Sequence, residues 1–465
     1  MAQETSIVLN GALPPRPFRW AEEVRATLGL AIPLVITQVA QIAIQATDVL
    51  MLGRLGETAL AAGSLGATLG TFLWLFGLGI VTAVAPLASQ AYGARSPRVL
   101  RVIVRQGMWV SVAIGVPFSL ILTQGTAILV FLGQDPTLAM DAGVYLTSFL
   151  WGITPALLLV VLRCFLSAVG HPTPVVWVMG IGVALNALLD YALIFGKLGA
   201  PRWELFGAGL ASSIVNLFMF LGLLFIAVQS RRFRRYHILG RLWRPDWGRF
   251  IEILRLGIPI GATIILEVGM FAAANLLMGL IGKTELAAHA IALQLAAVTF
   301  MVPLGVGHAA TVRIGHHHGA GRSGDVPRAG VVALLLSLGF MSLTAIAFWT
   351  VPEFLMQLFL GFDVPVTDAV VVFGASFLFV AAIFQLVDGA QVVGVSCLRG
   401  ISDTKIPMFF AAFGYWGVGF SSCYLLAFQA GLGGVGVWIG LALGLAASAV
   451  LMVSRFYILT RPGRL

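Results

Sequence analysis

Runs of apolar residues long enough to cross a hydrocarbon layer of about 30 Å recur twelve times along the 465-residue chain. They fall at 26–52, 59–86, 99–123, 140–164, 174–196, 206–229, 251–280, 285–311, 329–351, 367–397, 406–428 and 433–458. None alternates apolar with polar residues over about ten positions, as the strands of a membrane barrel do. The pattern predicts an all-α integral membrane protein of twelve transmembrane helices. The seventh and tenth runs each contain an acid, Glu267 and Asp388.

The runs repeat. Leu28-Gly-Leu-Ala-Ile-Pro33 matches Leu254-Arg-Leu-Gly-Ile-Pro259, and at the same offset of 226 positions Gly56-Glu-Thr-Ala-Leu-Ala-Ala62 matches Gly282-Lys-Thr-Glu-Leu-Ala-Ala288. Gly79 then corresponds to Gly305, and Gly93-Ala94 to Gly319-Ala320. Shared apolar composition does not hold one offset through such a stretch, so the chain is a duplicated six-helix unit. Six is even, so both copies run the same way through the membrane. Two bundles, 24–229 and 251–460, are then related by a pseudo-two-fold axis along the membrane normal. A tail (1–23) and a linker (230–250) complete the division. Duplicated transporters place their substrate sites near the repeat interface.

Composition agrees with lipid as the main solvent: 59% hydrophobic residues, 10% charged, and a mean hydropathy of +0.98, where a soluble domain carries about 25% charged residues. The net charge of +9 does not describe a nucleic-acid face, because the bases sit at the ends of apolar runs. With the N-terminus inside, all but four of the 28 Lys and Arg lie on the cytoplasmic side, the exceptions being Arg54, Lys197, Arg202 and Lys283. Both termini are therefore expected in the cytoplasm. Residues 1–23 carry Glu4, Glu22 and Glu23 and no apolar core region, so they read as a tail rather than a cleavable signal. The linker, with Arg231-Arg232-Phe233-Arg234-Arg235, Arg241, Arg244 and Arg249, suits anionic lipid headgroups. Cys164, Cys397 and Cys423 are too few and too apolar in setting for a disulfide framework.

Four acids fall well inside predicted spans: Asp48, Asp190, Glu267 and Asp388. An acid at a helix centre costs roughly 2.5–3.5 kcal/mol on insertion scales, and no Lys or Arg is expected deep in any span. Each acid must then be protonated, bind a cation or face a wet cavity. Gln38, Gln41, Gln45 and Asp48 stack on one helical face that should look into a bundle or cleft. Asn186 and Asp190 are one turn apart, as are Ser212 and Asn216, and Asp388 shares a face with Gln391. Such oxygen ligands suit a hard cation, although pinning helices by hydrogen bonds also explains the amides.

In these residues the chain resembles the multidrug and toxic compound extrusion family, most closely its NorM-like bacterial branch. The resemblance runs over 24–460 and is carried by Gln45-Ala-Thr-Asp48 after Pro33, Leu266-Glu-Val268, Asp388-Gly-Ala-Gln-Val-Val393, Cys397-Leu-Arg-Gly400 with Asp403-Thr404 and Pro407, and Tyr415-Trp416. It implies a monomeric antiporter in the bacterial inner membrane that exports small organic cations such as drugs and dyes against Na⁺ or H⁺, with no other cofactor. It also implies a cation site of Asp48, Asn186, Asp190 and Ser212, a second acidic pair of Glu267 and Asp388, and a helix-bending Pro33. Phe384 and Gln391 are expected to line the substrate cleft with Gln38, Gln41 and Gln45; Phe384 stands where some sodium-coupled relatives carry Tyr, offering a cation–π face but no oxygen. Ser421 replaces a usual Pro, and Ser212 a more familiar Thr.

Other features carry less. His316-His317-His318 reads as a solvated helix end rather than a metal tract, and His289 and His308 as hydrogen-bonded packing residues. Trp74, Trp151, Phe271 and Trp416 read as packing or lipid-facing more readily than as cleft walls. No GxxxxGK[ST] loop is present, so an ion gradient rather than ATP is the expected energy source. No nucleophile–base pattern suggests an enzyme. A flippase for lipid-linked precursors and a gated channel are the rival readings.

Overall fold

The computed structural model describes residues 18–361, 365 and 367–461. Most of the expected tail, 1–17, lies outside the described residues. Among the described residues twelve helices are long and apolar enough to span a membrane: α1 Trp20–Gly53, α2 Glu57–Gly93, α3 Pro97–Thr123, α4 Pro136–Ala168, α5 Thr173–Phe195, α6 Glu204–Gln229, α7 Trp247–Ile281, α8 Lys283–Gly319, α9 Ser323–Thr350, α10 Ala369–Gly400, α11 Lys405–Gln429 and α12 Gly433–Leu459. There is no strand among the described residues. Many large apolar side chains, Phe131 and Leu280 among them, are exposed, as suits a surface solvated by acyl chains and unlike the small patches of soluble monomers.

Most helices outrun their apolar runs. Polar and glycine-rich ends continue the backbone ladder beyond the hydrocarbon, so α8 extends to Gly319 and α10 to Gly400. Short helices at Gly125–Phe131 and Pro352–Leu360 lie between spans. In α11, the stretches Phe413–Phe420 and Leu425–Gln429 are π-wound.

Packing follows the repeat. In the first half α4 touches α2, α3 and α6, and α5 packs on α6; in the second α10 touches α8, α9 and α12, and α11 packs on α12. Two apolar cores result. The first halves of α1 and α7 are exchanged between them: Leu30, Ala31 and Leu34 join the second core, while Ile253 and Ile260 join the first.

The bundles meet through glycine, where backbones approach as closely as in other membrane helix pairs. A Cβ on Gly79 of α2 would strike Gly261 of α7, and one on Gly305 of α8 would strike Val35 of α1. Val35 and Gly261 are themselves one repeat apart, so these contacts are symmetry mates. The same holds for Gly93 against His316 and Gly319 against Gln90. On the axis itself Ser89 meets its own counterpart, Gly315. Just beyond, both copies turn left-handed, at Gly321 (φ 69°) in one and at Arg95 (φ 53°) in the other. These contacts close the end of the molecule that bears the 230–246 linker, hereafter the linker end. Gln90 Nε2 adds bonds to the Gly400 carbonyl and the Ser402 hydroxyl, both 2.9 Å, and Glu23 accepts from Arg313 Nε and Nη2 at 2.8 and 2.5 Å.

Candidate cation and substrate site

Three helices converge on Asp48. Asn186 of α5 donates Nδ2 to one carboxylate oxygen at 3.0 Å, and Ser212 of α6 donates Oγ to the other at 3.2 Å. The carboxyl group of Asp190, one turn beyond Asn186 on α5, lies against that of Asp48. Asp190 and Asn186 are fully buried, and Asp190 Oδ1 and Oδ2 and Asn186 Oδ1 meet no hydrogen-bond partner among the described residues. Two carboxyl groups in contact, with no Lys or Arg beside them, need a proton or a cation between them. The free oxygens of Asp190 and Asn186 are the hard ligands a small cation takes.

Asp48 also lines a partly open cavity of about 560 Å³ walled by α1, α2, α4, α6 and α7. It lies in the half of the molecule remote from the linker end. Gln41, Gln45 and Asp48 of the α1 stripe reach it, with Asn216 of α6 and Trp74 of α2. Tyr145 and Phe149 of α4, stacked at 5.5 Å between centroids, form an aromatic wall with Phe72. The aromatic wall was missed in the sequence, although Tyr145 and Phe149 share a helical face one turn apart. Among the lining residues Asp48 is charged and no Lys or Arg occurs.

Other expected residues lie elsewhere. Gln38 accepts from Arg163 Nη1 at 3.3 Å, outside this cavity. Pro33 sits inside α1, which runs unbroken from Trp20 to Gly53. Glu267 is half-buried and Asp388 buried, within range of each other's charge, and neither accepts a hydrogen bond among the described residues. Gln391 is buried and donates to Tyr415 Oη at 2.5 Å. Phe384 packs edge-on against Trp438 and Phe271, sealed inside the second bundle. Trp151 is 70% exposed on the outer surface, and Trp416 donates Nε1 to the Leu266 carbonyl at 3.2 Å.

Gln38, Phe384 and Gln391 thus do not line the cavity, whereas Trp74, expected as packing, does; three further expectations need correction. Arg399, read as lying past the tenth span, is carried into the protein by the last turn of α10. There its guanidinium lies within electrostatic range of Glu267 and Tyr415, and its Nε is buried without a partner among the described residues, so the second acidic pair does have a base nearby. The histidine tract is not a solvated end: His317 is buried against Glu23 at 3.1 Å, and His316 bonds the Ala168 carbonyl at 2.7 Å. His289 is fully buried, but it packs edge-on against Trp438, and neither ring nitrogen has a hydrogen-bond partner among the described residues.

Comparisons with known proteins agree with this architecture. The MatE family model matches residues 33–192 and 259–425, two stretches that open on the repeat mates Pro33 and Pro259. A probable multidrug resistance protein NorM of Mesorhizobium japonicum is 46% identical over 453 residues, 97% of each chain. A multidrug resistance protein NorM of Burkholderia vietnamiensis is 39% identical over 457 residues, 98% of each. The crystal structure of the eukaryotic MATE transporter AtDTX14 superposes with a TM-score of 0.82 over 96% of this chain and 99% of that one, at 22% identity. An outward-facing multidrug resistance MATE family transporter of the MOP superfamily gives 0.81 over 94% and 96%, at 18% identity. Those two structures speak for the fold.

Proposed function

The chain belongs to the MatE family, and from that premise we propose that it is a secondary active multidrug efflux transporter. It exports small organic cations by antiport with Na⁺ or H⁺, through alternating access of its two bundles. The observation that carries this reading is the Asp48–Asp190 pair, with open oxygens, at the edge of an aromatic-walled cavity within the membrane. A carboxylate pair that needs a positive partner accepts either the coupling ion or a drug cation, and the competition links the two fluxes. The aromatic faces of Phe72, Trp74, Tyr145 and Phe149 suit a flat cation.

By the positive-inside bias the linker end is cytoplasmic, as are both termini, and the membrane is the bacterial inner membrane. The conformation described is then open to the outside and closed to the cytoplasm, the state that releases drug and loads the ion. Glu267 and Asp388, with Arg399 nearby, would form a second charged site, and Pro33 a point at which α1 bends in other states. The protein works as a monomer. A flippase for large anionic headgroups is not favoured, since the cavity lining carries an acid and no base.

The test is export of ethidium from proteoliposomes under a Na⁺ gradient alone and then a pH gradient alone, for the parent protein, Asp48→Asn and Asp190→Asn. Gradient-driven export by the parent and none by the variants supports the proposal. Equal export by all three defeats it.

A further inference from the structure

A second cavity, of about 640 Å³, lies at the linker end. Its walls come from three parts of the chain. Arg95 follows α2 in the first bundle, Arg313 and His316 end α8 in the second, with Arg322 in the turn beyond, and Arg235 and Tyr236 belong to the linker. No Asp or Glu lines it among the described residues. Glu23, beside it, is committed to Arg313 and His317. Arg95, Arg235 and Arg322 meet no carboxylate within 4.0 Å among the described residues. Arg235 instead lies over the Tyr236 ring at 5.0 Å and donates to its hydroxyl at 2.9 Å.

Arg95, Arg235 and Arg322 are exposed, so water and salt screen part of their mutual repulsion, and an anion seated between them would relieve the rest. His171, in the turn between α4 and α5, is held below its usual range by burial and then by the charges of Arg232 and of Arg235, one of the three. Guanidinium forks match phosphate oxygens in pairs. Trp243 and Trp247, both largely exposed, set the linker at headgroup depth, where anionic lipid is drawn to bases at about 1 kcal/mol each. The chain's own undescribed stretch 1–17 has one acid, Glu4, and one base, Arg16, and so offers no net negative charge.

We propose that this cavity binds a phosphate-bearing anion, from a phospholipid headgroup or free in solution, clamped between the two bundles and the linker. The walls come together only while the ends of α2 and α8 touch. A ligand that binds this arrangement alone holds the linker end shut, so the anion acts as a regulatory latch apart from the Asp48 cavity.

The test is thermal unfolding of the full chain in neutral detergent with no addition, phosphatidylcholine, phosphatidylglycerol or inorganic phosphate. Phosphatidylglycerol is expected to raise Tm by about 2 °C or more. The rise should vanish in Arg95→Gln/Arg235→Gln/Arg322→Gln and persist in Arg231→Gln/Arg232→Gln/Arg234→Gln, whose side chains do not line the cavity. An equal rise with inorganic phosphate assigns the site to the free anion and keeps it. Equal effects of the two phospholipids, or equal loss in both variants, overturn the proposal by showing general lipid or surface-charge effects. Should the cavity variant fail to fold, Arg322→Gln alone is scored by native mass spectrometry. Undiminished retention of phosphatidylglycerol would then overturn it.

Discussion

Gly79→Ala should open the linker end. On the described backbone the new Cβ would stand 2.6 Å from the Gly261 amide nitrogen and 3.1 Å from the Ile260 carbonyl carbon, where ordinary contact begins near 3.4 Å. Both neighbours are backbone, so no side chain can swing aside. Helices α2 and α7 must part locally by roughly 1 Å, and overpacking of this kind costs about 1–3 kcal/mol. The cost falls only on the state in which the bundles touch here, so the equilibrium moves towards opening by about 5- to 150-fold. Ser89→Cys supplies the readout, since Ser89 is fully buried at the crossing of α2 and α8 and the three native cysteines are buried too. Its reaction with an impermeant maleimide from the linker side should accelerate by that factor. Gly305→Ala should act alike, its Cβ falling 3.0 Å from the Val35 nitrogen, whereas Gly29→Ala, with open space around it, should change nothing. A folded Gly79→Ala protein whose labelling rate stays within about twofold of the parent would refute the reasoning.

Three further outcomes follow from single contacts. Asn186→Ala removes the 3.0 Å donor to Asp48 and should weaken cation binding at least several-fold, seen as a raised half-saturating Na⁺ or proton concentration for drug release, with little loss of fold. Glu23→Gln leaves Arg313 and His317 without their shared carboxylate; with Arg313 still 20% exposed, the cost should be about 1–3 kcal/mol, and a double-mutant cycle with Arg313→Gln should show coupling by thermal unfolding. Phe149→Ala should reduce affinity for planar aromatic cations by about 0.5–2 kcal/mol, measured by fluorescence titration, and should affect small aliphatic cations less.

How legible this was from sequence depended on range. The spans were visible because lipid demands an unbroken apolar run, and the duplication because close helix crossings retain glycine at fixed positions. The polar stripe of α1 could be drawn from helical spacing alone. That Asn186 and Ser212 would both donate to Asp48 could not, since it depends on how three helices cross. Arg399 was misplaced because an apolar run ends where side chains turn polar, while the helix continues as long as its carbonyls find donors. Phe384 and Gln391 share the acid-bearing helix α10, yet rotation and packing against α11 and α12 put them inside the bundle. The π-wound stretches of α11 have no mark in composition.

The meeting of Ser89 with Gly315 says something about descent. Had two separate, identical six-helix chains paired across this axis, the residue at that position would have faced its own copy. A Cβ on Gly315 would come within 2.7 Å of the Ser89 Cβ, so twin serines would not fit in this arrangement while twin glycines would. In one polypeptide that constraint is absent: one copy can carry a hydroxymethyl group because the other is bare. The same freedom allows one half to carry Asp48 and Asp190 and the other Glu267 and Asp388, and allows Arg95 where the repeat mate is Gly321, so one fused chain can be asymmetric both at its axis and in its charged sites.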